Sequence, residues 1–146
     1  MIFTQAPDNF AFDIEVAACY LIHQGKVLML HRAKHDGDCW ALVAGTVEEG
    51  EEVKAGLARE MFEETGIVST PEKLKYVDTL HVRFPESDIV YHSYILCVDG
   101  SEPPQITLDP NEHQDFQWST FDEALQLELI YGLEGCFERH RDILVR

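Results

Sequence analysis

Three glutamates in the middle of the chain have the spacing of neighbours on a helix. Glu60, Glu63 and Glu64 follow one another at intervals of three and one residues. On an α-helix, positions three and four apart share one face, so the three carboxylates are expected to crowd together. Like charges at this distance repel by roughly a few tenths of a kcal/mol per pair unless a cation neutralises them. A hard divalent cation, Mg²⁺ or alternatively Mn²⁺, is the natural partner of such a cluster.

The same cation connects an acidic protein to a phosphorylated substrate. Mg²⁺ prefers oxygen ligands and is usually bound through one or two carboxylates together with substrate phosphates. The acidic cluster therefore favours metal-assisted chemistry on a small phosphorylated molecule. A solvated acidic helix face is the competing interpretation, and the surrounding residues have to decide between the two.

The segment that carries these glutamates predicts a helix with a clear end. Val53 to Thr65 has a helical pattern, and Gly66 stands where a helix C-terminal glycine belongs. A Gly- and Glu-rich turn, residues 45 to 50, precedes it. We expect the acids to point outward while the opposite face packs on a sheet; that face is predicted to hold Ala55, Ala58, Met61, Phe62 and Thr65.

The stretch from Gly45 to Ile67 resembles the Nudix box at every defining position. That pattern is a glycine, five residues, a glutamate, seven residues, and then Arg-Glu-apolar-x-Glu-Glu-x-Gly-apolar. The resemblance implies that Glu60, Glu63 and Glu64 coordinate the metal. It also implies that Arg59 and Glu51 orient this cluster, and that Glu63 and Glu64 are catalytic. An ordinary surface ion pair is the alternative for Arg59.

The loop before the box departs from the family pattern. Many members have Pro-Gly there, whereas this chain has Val43-Ala44. The family's backbone-carbonyl metal ligand maps to Ala44, which still offers its oxygen although its Cβ alters the local turn. Ala44 is therefore predicted as a metal ligand through its main chain.

Two further residues are candidates for the site. Glu112, in Glu112-His113, matches the family's E-H loop and is predicted as an additional metal ligand or general base. An ordinary loop acid is the alternative, and Asp109 and Asp115 are nearby rivals. Arg32 ends an apolar strand where related enzymes place a substrate-contacting arginine, so it is predicted to bind substrate; a solubilising surface residue is the alternative.

Four aromatic residues offer a stacking surface for a nucleobase, although core packing is the stronger interpretation for each. They are Trp40, Phe84, Tyr91 and Trp118.

Net charge and apolar content argue against two classes of binding partner, nucleic acids and membranes. The formal net charge of −16 argues against binding a nucleic-acid backbone, which draws its affinity from Lys and Arg. Neither a signal peptide at residues 1–13 nor an apolar run long enough for a membrane span is evident, so a cytoplasmic protein without membrane contact is expected. The four cysteines include no CxxC pair.

The remaining pattern predicts one domain, residues 1–146, of the α+β class. Apolar β-prone runs at residues 14–22 and 26–32, at 74–82 and at 89–98 predict two hairpins. Short strands at 40–44 and 116–118 and helices at 120–126 and 131–144 complete the pattern. With the resemblance, this implies the Nudix-like α/β/α sandwich, a mixed sheet between helices.

The implied function is metal-dependent hydrolysis of a diphosphate linkage in a nucleoside di- or triphosphate derivative, by attack of water on phosphorus. The alternative is a sensing module that binds a nucleotide or sugar nucleotide without turnover, although the acid set is intact. An isomerase, or a hydrolase of non-nucleotide diphosphates, is a third interpretation. Homodimers are frequent among similar proteins. The substrate, the general base and the number of metals stay open.

Overall fold

The computed structural model describes residues 1–85 and 87–144. Within those ranges it contains eight strands, three α-helices and two short 3-10 turns. The strands are β1 (Ile2–Phe3), β2 (Phe12–His23), β3 (Lys26–Arg32), β4 (Trp40–Ala41), β5 (Val43–Thr46), β6 (Lys75–Arg83), β7 (Asp88–Cys97) and β8 (His113–Ser119). The helices are α1 (Val53–Thr65), α2 (Phe121–Leu125) and α3 (Leu133–Leu144).

The strands form a mixed sheet around β2. On one side β2 runs parallel to β7, and β6 and β1 extend that side with antiparallel pairs. On its other side β2 pairs with β5, and it meets β3 only beside the turn between β2 and β3. β3 pairs mainly with β8 and β4 instead. The sheet therefore opens where β3 leaves β2, and β5 lies beside that opening.

Alternation along β2 produces two apolar cores, one on each face of the sheet. Cys19 and Leu21 face one way and belong to the core that contains Leu57 and Met61 of α1. The neighbouring Tyr20 faces the other way and packs with α3. Successive side chains of a strand point to opposite faces, so one buried strand supplies both cores. The result is a sheet between helices, as the sequence predicted.

The helix that carries the glutamates begins and ends where the sequence predicted. Gly66 has a φ of 78° and donates its N–H to the Phe62 carbonyl at 2.9 Å, which closes the helix. A left-handed glycine at this position removes the Cβ penalty. The predicted packing face was wrong in part: Met61 and Thr65 are buried as predicted, but Phe62 is 58% exposed and Leu57, which was not assigned to that face, is fully buried. Glu64 also turns inward instead of outward.

The other elements match the predicted order, with changes at their ends. Both hairpins are confirmed. The last helix starts at Leu133 and not at Tyr131, because Gly132 has a φ of 84°, which is outside the range of a right-handed helix. The strand β1 was not predicted. Among the described residues, no helix is both long and apolar enough to cross a membrane.

Candidate metal centre and pocket

Arg59 forms hydrogen bonds with several of the acidic side chains on and before α1. Its Nε donates to Glu51 at 2.9 Å, and its terminal nitrogens donate to Glu60 at 3.1 Å and to Glu63 at 3.3 Å. Glu51 also accepts the backbone N–H of Glu48 at 2.9 Å. The hydrogen bonds from Arg59, followed by that from Glu48, lower the pKa of Glu51 to about 2. One guanidinium therefore fixes the direction of three carboxylates.

Two glycines make room for these carboxylates. A Cβ added to Gly45 would lie 2.1 Å from the Cδ of Glu60, which is an impossible contact. A Cβ on Gly56 would lie 2.7 Å from a carboxylate oxygen of Glu51. A larger residue at either position would therefore displace the carboxylate from its place in the network. The structure gives a physical reason for the box glycine, which the sequence presents only as a pattern.

Glu64 is the most buried acid of the cluster, with 6% exposure. Its Oε1 accepts the backbone N–H of Ala44 at 3.1 Å, which ties α1 to β5. Burial, with a smaller effect from the neighbouring carboxylates Glu60 and Glu112, raises the pKa of Glu64 to about 9 despite the Ala44 hydrogen bond, which lowers it. Burial likewise raises the pKa of Glu60. A cation bound at this place would favour the charged form of both groups.

Glu112 and His113 approach Glu64 from the opposite side of the opening. A turn places them, since the backbone N–H groups of both residues donate to the carbonyl of Asp109 at 3.0 and 2.9 Å. Ligand atoms of Glu64, Glu112 and His113 all lie within 4.8 Å of one another. Burial lowers the pKa of His113, and Arg32 adds to this effect. The arrangement offers two carboxylates and one imidazole to a single ion.

A pocket of about 430 Å³ extends from this cluster along the sheet. Its acidic end is formed by Glu60, Glu64 and Glu112, with Ala44 and Gly45 beside them. Its other end is mainly apolar and lies between the sheet and the start of α3; it contains Ile2, Val82, Phe84, Tyr91, Tyr131 and Leu133. The rings of Phe84 and Tyr131 are 5.0 Å apart. The acidic end suits a cation together with an anionic group of a ligand, and the apolar end suits an apolar or aromatic group of the same ligand.

Arg32 lines the same pocket and is held by Asp36. The Arg32 guanidinium lies 2.6 Å from an Asp36 carboxylate oxygen, to which its Nε also donates at 3.1 Å. Asp36 takes hydrogen bonds from two of the five N–H groups of the guanidinium at most. Arg32 thus lies at the pocket wall, and its substrate-binding role stays a prediction.

The structure separates the predicted candidates. Glu60, Glu64, Glu112, Ala44 and Arg32 line the pocket, whereas Glu51, Glu63 and Arg59 form the adjoining ion-pair network. Glu63 is more than half exposed.

Other candidates have local roles in the fold. Asp109 accepts hydrogen bonds within its own turn, and Asp115 accepts the N–H of Phe116. Trp40 stacks on His31 with ring centroids 4.5 Å apart. Trp118 packs against the core on the α1 side. Core packing was the stronger expectation for all four aromatic residues; both tryptophans pack against the cores, whereas Phe84 and Tyr91 also line the pocket.

Several pocket residues were not predicted from the sequence. His113 stands next to a predicted ligand, but a strand alternates its side chains and would send His113 away from Glu112. Glu112 lies in the turn at Asp109 and not in the strand, so the alternation does not apply to this pair. Ile2 and Tyr131 reach the pocket only through long-range packing of β1 and of the loop before α3, for which the sequence carries no local signal.

The comparison with known families decides the assignment. The NUDIX domain model matches residues 13–138. The chain belongs to the Nudix family. Among curated proteins it is similar to the NAD-capped RNA hydrolase NudC of Haemophilus influenzae, with 32% identity over 103 residues. That match covers 68% of this chain and 36% of the relative, so the chain spans about a third of the NudC protein.

Solved Nudix-type structures share the fold. The MutT protein from Methanosarcina mazei Go1 superimposes with a TM-score of 0.76 at 23% identity, covering 94% of this chain and 99% of that one. The Escherichia coli ORF135 protein gives a TM-score of 0.72 at 28% identity, covering 89% of both chains. The α+β sandwich expected of a Nudix domain is thereby confirmed.

Proposed function

We propose that this Nudix protein is a divalent-cation-dependent hydrolase that cleaves a diphosphate linkage in a nucleoside di- or triphosphate derivative. One observation carries the proposal above the others. Glu64, a carboxylate buried to 6% exposure, points into a pocket beside Glu60 and Glu112. Of these three acids only Glu60 is bonded to an arginine, so Glu64 and Glu112 have no cationic side chain beside them among the described residues.

The donor set fits a hard divalent cation. Glu60, Glu64 and Glu112 would hold it with the carbonyl of Ala44, since carboxylate and carbonyl oxygens are the ligands that Mg²⁺ prefers. When bound, the cation activates water and stabilises charge on the phosphates. Mg²⁺ is the cation we propose, with Mn²⁺ as the alternative.

The chain's own residues orient the metal ligands, bind the substrate phosphate and accept a proton. Arg59 fixes the carboxylates of Glu51, Glu60 and Glu63, so Glu60 and Glu63, two of the predicted metal ligands, are held in place before substrate arrives. Arg32 offers its guanidinium to a substrate phosphate. A carboxylate beside the attacking water accepts its proton. The candidates are the box glutamates and Glu112, of which Glu60, Glu64 and Glu112 line the pocket.

The pocket supports a small nucleotide as substrate instead of a nucleic acid. Its mainly apolar end is suited to a base or a similar planar group, and Phe84 and Tyr131 offer aromatic rings there. A net charge of −16 repels a phosphate backbone. The NudC relatives are named for NAD-capped RNA, so we include both NAD and a capped RNA in the test. A single domain, a cytoplasmic location and a homodimer stay predictions from sequence.

The test is phosphate or nucleotide release across a substrate panel with Mg²⁺ or with EDTA. The panel contains NTPs, oxidised dNTPs, a pterin triphosphate, nucleotide sugars, dinucleoside polyphosphates, NAD and NAD-capped RNA. We expect hydrolysis of one class, abolished by EDTA and sharply reduced in Glu63→Gln and Glu64→Gln. Wild-type activity in both variants would refute the metal-site assignment.

The same panel separates the sensing alternative. A protein without turnover on any member, but with a raised melting temperature in the presence of one nucleotide, would be a binding module. Hydrolysis of capped RNA in strong preference to NAD would overturn the small-molecule part of the proposal.

A further inference from the structure

His113 is a buried side chain whose imidazole has no partner in the part of the chain that the structure describes. Its exposure is 6%, and its Nδ1 is buried without a hydrogen bond. An unpaired buried polar atom costs roughly 1–3 kcal/mol, so such atoms call for an explanation. The ring also lines the pocket.

The position of the ring supplies that explanation. A ring nitrogen of His113 and carboxylate oxygens of Glu64 and Glu112 lie within 4.8 Å of one another. Glu64 comes from α1, whereas Glu112 and His113 come from the turn that enters β8. One ion at this point would have one ring nitrogen of His113 and a carboxylate oxygen from each glutamate as ligands.

We infer that Glu64, Glu112 and His113 form a mixed nitrogen and oxygen site that binds a borderline transition cation, such as Ni²⁺ or Zn²⁺, more tightly than Mg²⁺. The inference rests on the proposed metal centre and adds a ligand to it. Mg²⁺ and Ca²⁺ prefer oxygen, whereas imidazole suits Ni²⁺ and Zn²⁺. His113 therefore shifts the metal preference of this centre without being needed for Mg²⁺.

The experiment measures Ni²⁺ and Mg²⁺ binding to the metal-free protein by calorimetry. Wild-type protein is compared with His113→Gln and with the control His35→Gln, which changes an exposed histidine in the turn after β3. We expect His113→Gln to weaken Ni²⁺ binding about 10-fold or more, the scale seen when support of a metal site is lost. Mg²⁺ affinity should stay within about 2-fold, and His35→Gln should match wild type for both ions.

A spectroscopic readout keeps the test independent of the variant's folding. X-ray absorption of wild-type protein loaded with one equivalent of Ni²⁺ should show imidazole scattering, which disappears in His113→Gln and persists in His35→Gln. Absence of that scattering in wild type, or unchanged Ni²⁺ affinity in a folded His113→Gln, would overturn the inference.

Failure of the inference and failure of the proposed function give different results. Mg²⁺-dependent hydrolysis by a wild-type protein without imidazole scattering leaves the function intact and removes His113 as a ligand. Imidazole scattering that depends on His113, in a protein inactive on the whole panel, confirms the site and refutes the hydrolase.

Discussion

Two clusters of charged side chains lie on opposite faces of the sheet, and they differ in charge balance. On the α3 face, one carboxylate, Asp78, accepts hydrogen bonds from Arg139 and from His140 at 3.1 Å. His140 in turn lies 2.7 Å from the hydroxyl of the buried Tyr20. On the α1 face, Arg59 alone serves several glutamates.

The difference shows which cluster is built for a ligand. The Asp78 cluster joins β2, β6 and α3 and satisfies its own charge, so it needs nothing from outside the protein. The Arg59 cluster leaves Glu64 and Glu112 without a cationic side chain within the described residues, and the pocket opens beside them. Of the two, Glu64 is buried, and a bound cation would be needed to keep its carboxylate charged there.

The largest expected effect separates the two clusters by activity. Glu64→Gln removes a metal ligand while keeping the size of the side chain, so kcat should fall by roughly 100-fold or more, equivalent to the several kcal/mol that a metal supplies. Steady-state hydrolysis of the best panel substrate at saturating Mg²⁺ measures it.

Asp78→Asn is the matched control on the other face. It weakens bonds to charged partners, so the melting temperature should fall by about 2–8 °C, the shift for roughly 1 kcal/mol, with kcat within about 2-fold of wild type. A large loss of activity in Asp78→Asn, or none in Glu64→Gln, would break the distinction between the clusters.

A smaller effect on activity is expected from Arg59→Lys. Lysine keeps the charge but lacks the planar fork that bonds Glu51, Glu60 and Glu63 at once. The metal ligands lose their orientation, and kcat/KM should drop about 10-fold, with a higher Mg²⁺ concentration needed for half-maximal rate.

Arg139→Lys makes the same chemical change in the Asp78 cluster and serves as the control for Arg59→Lys. It should leave both kinetic quantities unchanged. If Arg59→Lys also leaves them unchanged, Arg59 is an ordinary surface ion-pair residue.

The same two clusters show how far the sequence could predict the site. The spacing of Glu60, Glu63 and Glu64 is local to one helix, so the helix, its end at Gly66 and the shared acidic face follow from periodicity. Burial of Glu64 does not, because it depends on where β5 passes α1. His113 and the Asp78 cluster are invisible for the same reason, since each joins residues far apart in the chain.

The resemblance predicted roles that periodicity alone could not. Arg59 bonds Glu51 across eight residues, and only the family pattern pointed to that pair. The pattern could not predict how Asp36 holds Arg32, because neither residue belongs to the box.

The last expected effect concerns the pH dependence of stability and tests whether the Glu64 cluster needs a cation. In metal-free protein the pKa of Glu64 is raised from 4.5 to about 9 by burial and by the nearby Glu60 and Glu112. Between those values the folded protein keeps a proton that the unfolded chain has released, so stability falls as pH rises through this window.

Glu64→Gln lacks this titration and resembles the protonated acid. Thermal melts in EDTA should therefore show the variant gaining on wild type between pH 5 and pH 8, by about 2–8 °C for each 1 kcal/mol of difference. Saturating Mg²⁺ should reverse the order, because only wild type keeps the full set of ligands and is stabilised by binding. A difference in melting temperature that stays constant with pH in EDTA would mean that Glu64 is already charged without a metal, and that the pocket solvates its acids better than their burial indicates.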